Sequence, residues 1–277
     1  MDLEPHPFNT GFAWSEVKGP FRRLSAAEAQ SFNERGYVVL EDVFDAGVLR
    51  ALVDVIDPVE ARVEAMLRGQ PGQRIFVARA GEITFTVHLA SLSPLVRAFC
   101  SGPVFRELAH DLVGPDVRLY WDQAVYKKPS ISGDLPWHQD NGYTFVEPQQ
   151  TLTCWIALTD TTEENGCLWL APGLHRFGTL RHWRTEQGWC CLKEPPETAA
   201  APLRAGSMAV FSGVTPHRTG PNLTDRVRKA FILQFAKDGA CTVAPDPGTG
   251  EPVRRPCNDP RCQFPVLAGG EAPSLSR

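Results

Sequence analysis

Apolar positions recur at helical spacing through the first hundred or so residues and at strand spacing after them. Ser25-Ala26-Ala27-Glu28 has the form of a capping box, with the serine hydroxyl placed to accept from the amide three residues on and the glutamate placed to reach back. Gly36 suits a left-handed stop, and Tyr37-Val38-Val39-Leu40 follows as a short strand. Asp45 is placed to cap a second helix whose Val48, Leu49, Leu52, Val53 and Ile56 share a face. Pro58 is expected to interrupt it, with the pattern resuming through Leu67. Between Arg74 and Leu89 the alternation turns β-like, and Pro103 to Val113 reads as a further helix with proline in its first turn.

After Gly114 the chain becomes short apolar runs divided by turn residues. Strands are predicted over Val117–Lys127, Thr151–Leu158, Cys167–Leu170, Ser207–Phe211 and Arg228–Ala236. Helices first and strands afterwards predict an α+β, mainly β chain with a sandwich or barrel core. The expectation is one domain over 1–277: a helical and β support region (1–115), a β core (116–240) and a Pro-rich tail (241–277).

Composition narrows the classes of partner. With 43% hydrophobic and 22% charged residues the chain is an ordinary globular one, and a net charge of −4 gives no reason to expect nucleic acid or an anionic membrane. No apolar run is long enough to span a bilayer, and Met1-Asp2-Leu3-Glu4-Pro5 has neither the basic flank nor the apolar centre of an export signal. A cytoplasmic location is expected, as a monomer or homodimer. Eight cysteines in such a chain read as reduced thiols. Cys257 and Cys262 lack the further ligands a zinc clip needs.

The candidate chemistry centres on His138-Gln139-Asp140. In extended chain, positions two apart lie on one face, so the imidazole and the carboxylate can reach one ion. His217 lies just beyond the apolar run Met208-Ala209-Val210-Phe211 and supplies a third donor. Two histidines and one carboxylate leave three positions open on Fe(II), the arrangement of non-haem iron oxygenases. Eleven residues beyond His217, Arg228 opens the next strand. Neighbouring strands would then present an imidazole and a guanidinium to one cavity. A planar, permanently charged fork suits a buried carboxylate, so the pair implies a metal-chelating dicarboxylate, 2-oxoglutarate.

Longer motifs run in the same order. They are Leu24-Ser25-Ala26-Ala27-Glu28 with Phe32 and Gly36-Tyr37-Val38-Val39-Leu40; Trp137-His138-Gln139-Asp140; Trp155-Ile156-Ala157-Leu158-Thr159-Asp160; Asn165-Gly166-Cys167-Leu168; Pro172-Gly173-Leu174-His175; and Gly206-Ser207-Met208-Ala209-Val210-Phe211 leading to His217, Asn222 and Arg228-Lys229-Ala230. Together, over residues 24 to 236, the chain resembles the phytanoyl-CoA dioxygenase family of Fe(II)/2-oxoglutarate oxygenases. The resemblance implies a double-stranded β-helix (a cupin-like jelly roll) buttressed by N-terminal helices. It implies His138, Asp140 and His217 as iron ligands, Arg228 as anchor of the far carboxylate, and Gln123, Trp155 and Thr219 as further cosubstrate contacts. Some relatives also use a lysine ahead of this core; Thr84-Phe85-Thr86-Val87-His88 has none, which leaves Thr86 or His88 as substitutes. His175 is expected to order a loop, and Trp137, Tyr143 and Phe145 to be either core or pocket wall.

The implied reaction uses Fe(II), 2-oxoglutarate and O2 to hydroxylate a C–H bond of a small-molecule metabolite, with release of succinate and CO2. A carboxylate at position 140 favours hydroxylation over halogenation and leaves desaturation or ring formation open. The insert from Thr179 to Pro202 is either a lid or a packed excursion, and its Arg184 and Trp189 suit a small, partly anionic substrate. Two other classes fit parts of the pattern: a cupin-like metal protein without oxygenase activity, such as an isomerase, and a sensor or binding module.

Overall fold

The computed structural model describes residues 3–273. At its start the capping box forms as predicted. The Ser25 hydroxyl accepts from the Glu28 amide at 3.2 Å, and the Glu28 carboxylate takes the Ser25 amide at 2.7 Å. The helix they open runs Ala26–Arg35 and stops at Gly36, whose φ is 82°. Asp45 likewise caps the second helix through the amides of Gly47 and Val48.

That second helix corrects the expectation of a break at Pro58: it is one element, Ala46–Arg68. Proline removes only the bond to the carbonyl four residues back, and both Asp54 and Pro58 face solvent, where water can take that carbonyl. Leu49, Leu52, Ile56 and Leu67, on both sides of the proline, are buried along one face. Packing on both halves outweighs one missing bond.

Two antiparallel sheets form the centre. The larger has nine strands and places Tyr37–Leu40, Met208–Ser212, Leu152–Ala157, Arg228–Lys237, Val117–Lys127 and Ile83–Val87 side by side in that order. The smaller has four: Ala199–Ala201, Leu168–Leu170, His217–Thr219 and Leu135–His138. This is the double-stranded β-helix. The stretch after residue 241 is less irregular than its prolines predict. Cys241–Pro245 pairs with Pro252–Pro256 and with Phe145–Glu147, and Pro265–Leu267 joins the large sheet beside Val117–Lys127.

The large sheet is covered on both faces. Along Arg228–Lys237, Phe231, Leu233 and Phe235 pack with Phe32, Leu52, Ile56 and Phe105 of the helices. Alternate residues turn the other way, so Ala230 and Ile232 pack with Trp155, Leu168 and Phe211 between the sheets. Burial on both faces explains why this strand reads as an almost continuous apolar run.

Helix stop and sheet meet at Gly36. A Cβ there would lie 2.5 Å from His175 Nδ1 and 2.7 Å from Thr215 Oγ1, and the positive φ disfavours any side chain. His175 is fully buried, with its Nε2 at 3.2 Å from the Asn33 carbonyl. It acts as a structural wedge, as expected for a loop-ordering residue. Gly36→Ala is expected to lower the unfolding free energy by about 2 kcal/mol or more in a urea titration, with the left-handed strain and the clash adding.

Candidate active site

The strand Leu135–His138 ends on a histidine, and the strand His217–Thr219 begins on one. The two strands are antiparallel neighbours with His217 directly opposite His138, and the ring centroids are 4.2 Å apart. Gln139 remains extended (φ −114°, ψ 143°), which returns Asp140 to the side of His138 although Asp140 itself starts a one-turn helix, Asp140–Tyr143. The candidate ligand atoms of His138, Asp140 and His217 lie within 4.8 Å of one another, a group able to hold a metal ion.

Each imidazole is oriented from behind. His138 Nδ1 is 2.8 Å from the Pro136 carbonyl and His217 Nδ1 is 3.0 Å from the Thr215 carbonyl. Both contacts require the Nδ1 proton, which leaves the Nε2 lone pairs free to ligate. Burial pushes both imidazoles down, His217 to about 4, so both are neutral at ordinary pH. Burial raises Asp140, against the pull of His138 and of bonds from Thr153 and Gln234. Thr153 donates to Asp140 Oδ2 at 2.5 Å. Two imidazoles with free Nε2 lone pairs and one carboxyl group, all in a dry setting, fit a divalent cation.

Arg228 marks the closed end of the same cavity. It is 1% exposed, yet among the described residues its Nε and Nη2 have no hydrogen-bond partner, and its one side-chain hydrogen bond is a long one of 3.5 Å from Nη1 to the Val125 carbonyl. Burial lowers it only to about 10, so it stays charged. Its guanidinium lies over the Trp155 ring, 5.3 Å from the centroid. Nearby, Thr219 Oγ1 is also buried without a partner. Lys127, directly across from Arg228 in the neighbouring strand, is buried too and donates to the carbonyls of Thr219 and Gly220. Burial first, and then the Arg228 charge, lowers the Lys127 pKa. Among the described residues neither side chain has an ion-pair partner. Buried charge without a counter-ion is costly, so this end fits an incoming carboxylate.

All seven residues singled out in the sequence lie on the wall of one cavity of about 520 Å3: His138, Asp140, His217, Arg228, Gln123, Trp155 and Thr219. Gln123 and Trp155 flank Ile232 from the strands on either side, so the three form one row across the large sheet. Three expectations need correction. His217 and Arg228 stand on different sheets, facing each other across the cavity rather than on neighbouring strands. Thr86 and His88 do not line it; alternation gives the cavity-facing position to Phe85, while Thr86 is buried on the opposite face and His88 packs on Trp121. Arg184 is exposed outside the cavity, although Trp189 of the same hairpin lines it. That hairpin, Trp183–Thr185 with Gly188–Cys190, covers the cavity while its flanks pack on Trp137 through Leu180 and Cys191. The insert is therefore both cover and packed excursion. Tyr143 is wall, whereas Trp137 and Phe145 are buried away from the cavity.

Several supporting residues gave no local signal. Lys127 reads as a strand-end surface charge, and Thr153 and Gln234 as ordinary strand residues. His182 accepts from the Gln139 amide through Nε2 at 3.0 Å, and its ring fills the space a side chain at Gly142 would need, with a Cβ falling 1.9 Å away. The adjacent Asn-Gly looks like a turn signal, but its glycine is required by a ring forty positions later in the chain.

Residues 32–230 match the family model described as phytanoyl-CoA dioxygenase (PhyH). A phytanoyl-CoA dioxygenase of Arabidopsis thaliana is 30% identical over 164 residues, covering 57% of this chain and 58% of that protein. The phytanoyl-CoA dioxygenase domain-containing protein 1 of Bos taurus is 25% identical over 272 residues, covering 80% of this chain and 94% of that one. Among solved structures, the non-haem epimerase SnoN, in complex with Fe3+, α-ketoglutarate and a nogalamycin compound, superposes with a TM-score of 0.66 at 23% identity, covering 87% of this chain and 97% of its own.

Buried neutral histidines make the fold acid-sensitive. His175, His182 and His217 are each lowered by burial to about 4, while an unfolded histidine titrates near 6.5. Below the unfolded value the unfolded chain takes up protons that the folded one refuses. Stability is therefore complete above that value and is lost as pH falls toward 4. Metal-free protein should lose about 2 kcal/mol per such histidine between about pH 6.5 and 5. Urea titrations at several pH values check this, and His175→Gln should flatten the slope by roughly one histidine's share.

Proposed function

The chain belongs to the phytanoyl-CoA dioxygenase family, and on that premise we propose that it hydroxylates a C–H bond of a small-molecule metabolite while 2-oxoglutarate is converted to succinate and CO2. The broader class follows from the family: it is a 2-oxoglutarate-dependent dioxygenase with Fe(II) as its metal and O2 as its second cosubstrate. The observation that carries the finer reading is the placing of a metal-shaped donor set and an unpaired, fully buried arginine on one cavity. A metal-binding module that takes no carboxylate cosubstrate has no need for that guanidinium at the closed end.

In this reading His138, Asp140 and His217 hold the metal through His138 Nε2, His217 Nε2 and an Asp140 oxygen. Their carbonyl and hydroxyl partners keep those atoms aimed and unprotonated. Arg228 and the free Thr219 hydroxyl receive the far carboxylate of 2-oxoglutarate, which supplies the missing counter-charge. Trp155 stacks under the guanidinium and limits its rotation, while Gln123 bounds the same pocket. Lys127 fixes the backbone that carries Thr219. Bound iron supplies the activation of O2 and the oxidation of the C–H bond; the chain supplies open coordination positions, orientation and exclusion of water. A carboxylate at 140 takes the position that a halide would need, which favours hydroxylation.

The decisive assay is succinate formation from 2-oxoglutarate in air with Fe(II) and ascorbate. Wild type is expected to give slow uncoupled turnover and His138→Ala none. Absence of succinate from folded, iron-loaded wild type that also fails to bind 2-oxoglutarate would remove the oxygenase reading. Arg228→Lys is expected to raise the KM for 2-oxoglutarate by on the order of 100-fold, since a point charge does not replace a bidentate fork in a buried site. Steady-state kinetics at saturating iron measures it.

A further inference from the structure

From the part of the cavity that the cosubstrate does not need, we propose that the second substrate is an uncharged, ring-bearing molecule of mainly apolar surface. This rests on the oxygenase reading for the role of substrate, but not for the binding itself. Among the described residues the charged or titratable side chains on the wall, tyrosines aside, are the three metal donors and Arg228, which already have assigned roles. The remaining polar groups are uncharged hydroxyls, amides and indoles. Gln123 takes the Trp121 indole through Oε1 at 3.1 Å, and Thr153 donates to Asp140 Oδ2. A substrate carboxylate, phosphate or ammonium would enter with no unassigned opposite charge to offset its lost hydration, at a cost of several kcal/mol.

What the wall does offer is aromatic faces and methylenes. Phe76, Phe85, Trp121, Tyr143 and Trp189 surround the outer space, and Val63, Met66 and Ile75 close it from the side of the Ala46–Arg68 helix. At about 520 Å3 the cavity lies within the usual range for small-molecule sites. Rigid aromatic walls favour flat, rigid ligands, which stack without losing rotamer freedom. Phe76 is the specificity-determining residue. It is held at φ 52°, a conformation that costs a non-glycine residue energy, with its ring edge-on to Tyr143 at 6.1 Å. The one arginine of the covering hairpin sits outside, its guanidinium 5.7 Å from the Phe76 ring centre, and so reads the rim rather than the interior.

The test is calorimetric binding of flavone, 2-acetylnaphthalene, 2-naphthoate, L-leucine and palmitoyl-coenzyme A. It is run on metal-free protein and on protein loaded with Fe(II) and 2-oxoglutarate under nitrogen. Flavone and 2-acetylnaphthalene are expected to bind both forms, with 2-naphthoate weaker by about tenfold or more, since it differs from the ketone by its charge. Phe76→Ala, at a residue more than a third exposed, should weaken 2-acetylnaphthalene by about tenfold without moving the thermal midpoint. The proposal is overturned if 2-naphthoate, L-leucine or palmitoyl-coenzyme A binds as tightly as the neutral ketone, or if neither neutral compound binds. Succinate assays on the same samples separate the two readings. Neutral-ring binding by protein that makes no succinate leaves the ligand class standing and removes the oxygenase; succinate without such binding does the reverse.

Discussion

The structure depends on one antiparallel pair in which two histidines face each other. His138 closes its strand, His217 opens its own, and the register sets them opposite with their rings 4.2 Å apart. A slip of one residue would turn either ring to the other face of the sheet. The rest of the architecture protects that register. The carbonyls of Pro136 and Thr215 fix which nitrogen is free, and His182, wedged over Gly142, holds the peptide that carries the chain from His138 to Asp140. The large sheet closes the cavity on the other side, and burial keeps both imidazoles neutral.

A gradient of polarity runs along this cavity. Its closed end carries the Arg228 guanidinium, with the Lys127 side chain buried just behind and, among the described residues, no carboxylate paired to either; its middle carries the three donors; its mouth is aromatic and aliphatic. The two ends are built by different parts of the chain. Most cationic and donor residues come from the core strands, whereas much of the apolar mouth comes from the Ala46–Arg68 helix, the Arg74–Arg79 hairpin and the Trp183–Cys190 hairpin, joined by Phe85, Trp121 and Tyr143 from the core side. The two covering hairpin segments and the helix carry no metal donor, so that part of the mouth can vary without disturbing the chemistry.

Local features were legible in the chain itself. The Ser25 box, the Gly36 stop, the Asp45 cap and the Val117–Lys127 strand each depend on residues within a few positions, and each forms where the pattern puts it. The donors of the metal-shaped group were legible as well, because His-x-Asp carries its geometry locally and Arg228 has few reasons to open an apolar strand. Pro58 was misread as a break because local propensity omits what both halves of the helix gain by packing.

The sequence by itself determined the two periodicities, their order along the chain and the identity of the donor set. Tertiary structure decided which sheet each donor stands on, that Phe85 rather than Thr86 or His88 faces the cavity, and that Lys127 is a buried support instead of a surface charge. It also decided that Trp189 faces inward while Arg184 of the same hairpin faces out. The physical reason is range. Caps, turns and alternation are set by bonds and sterics between near neighbours. Burial, orphaned donors and the apolar mouth arise only when segments more than a hundred residues apart close around the same space.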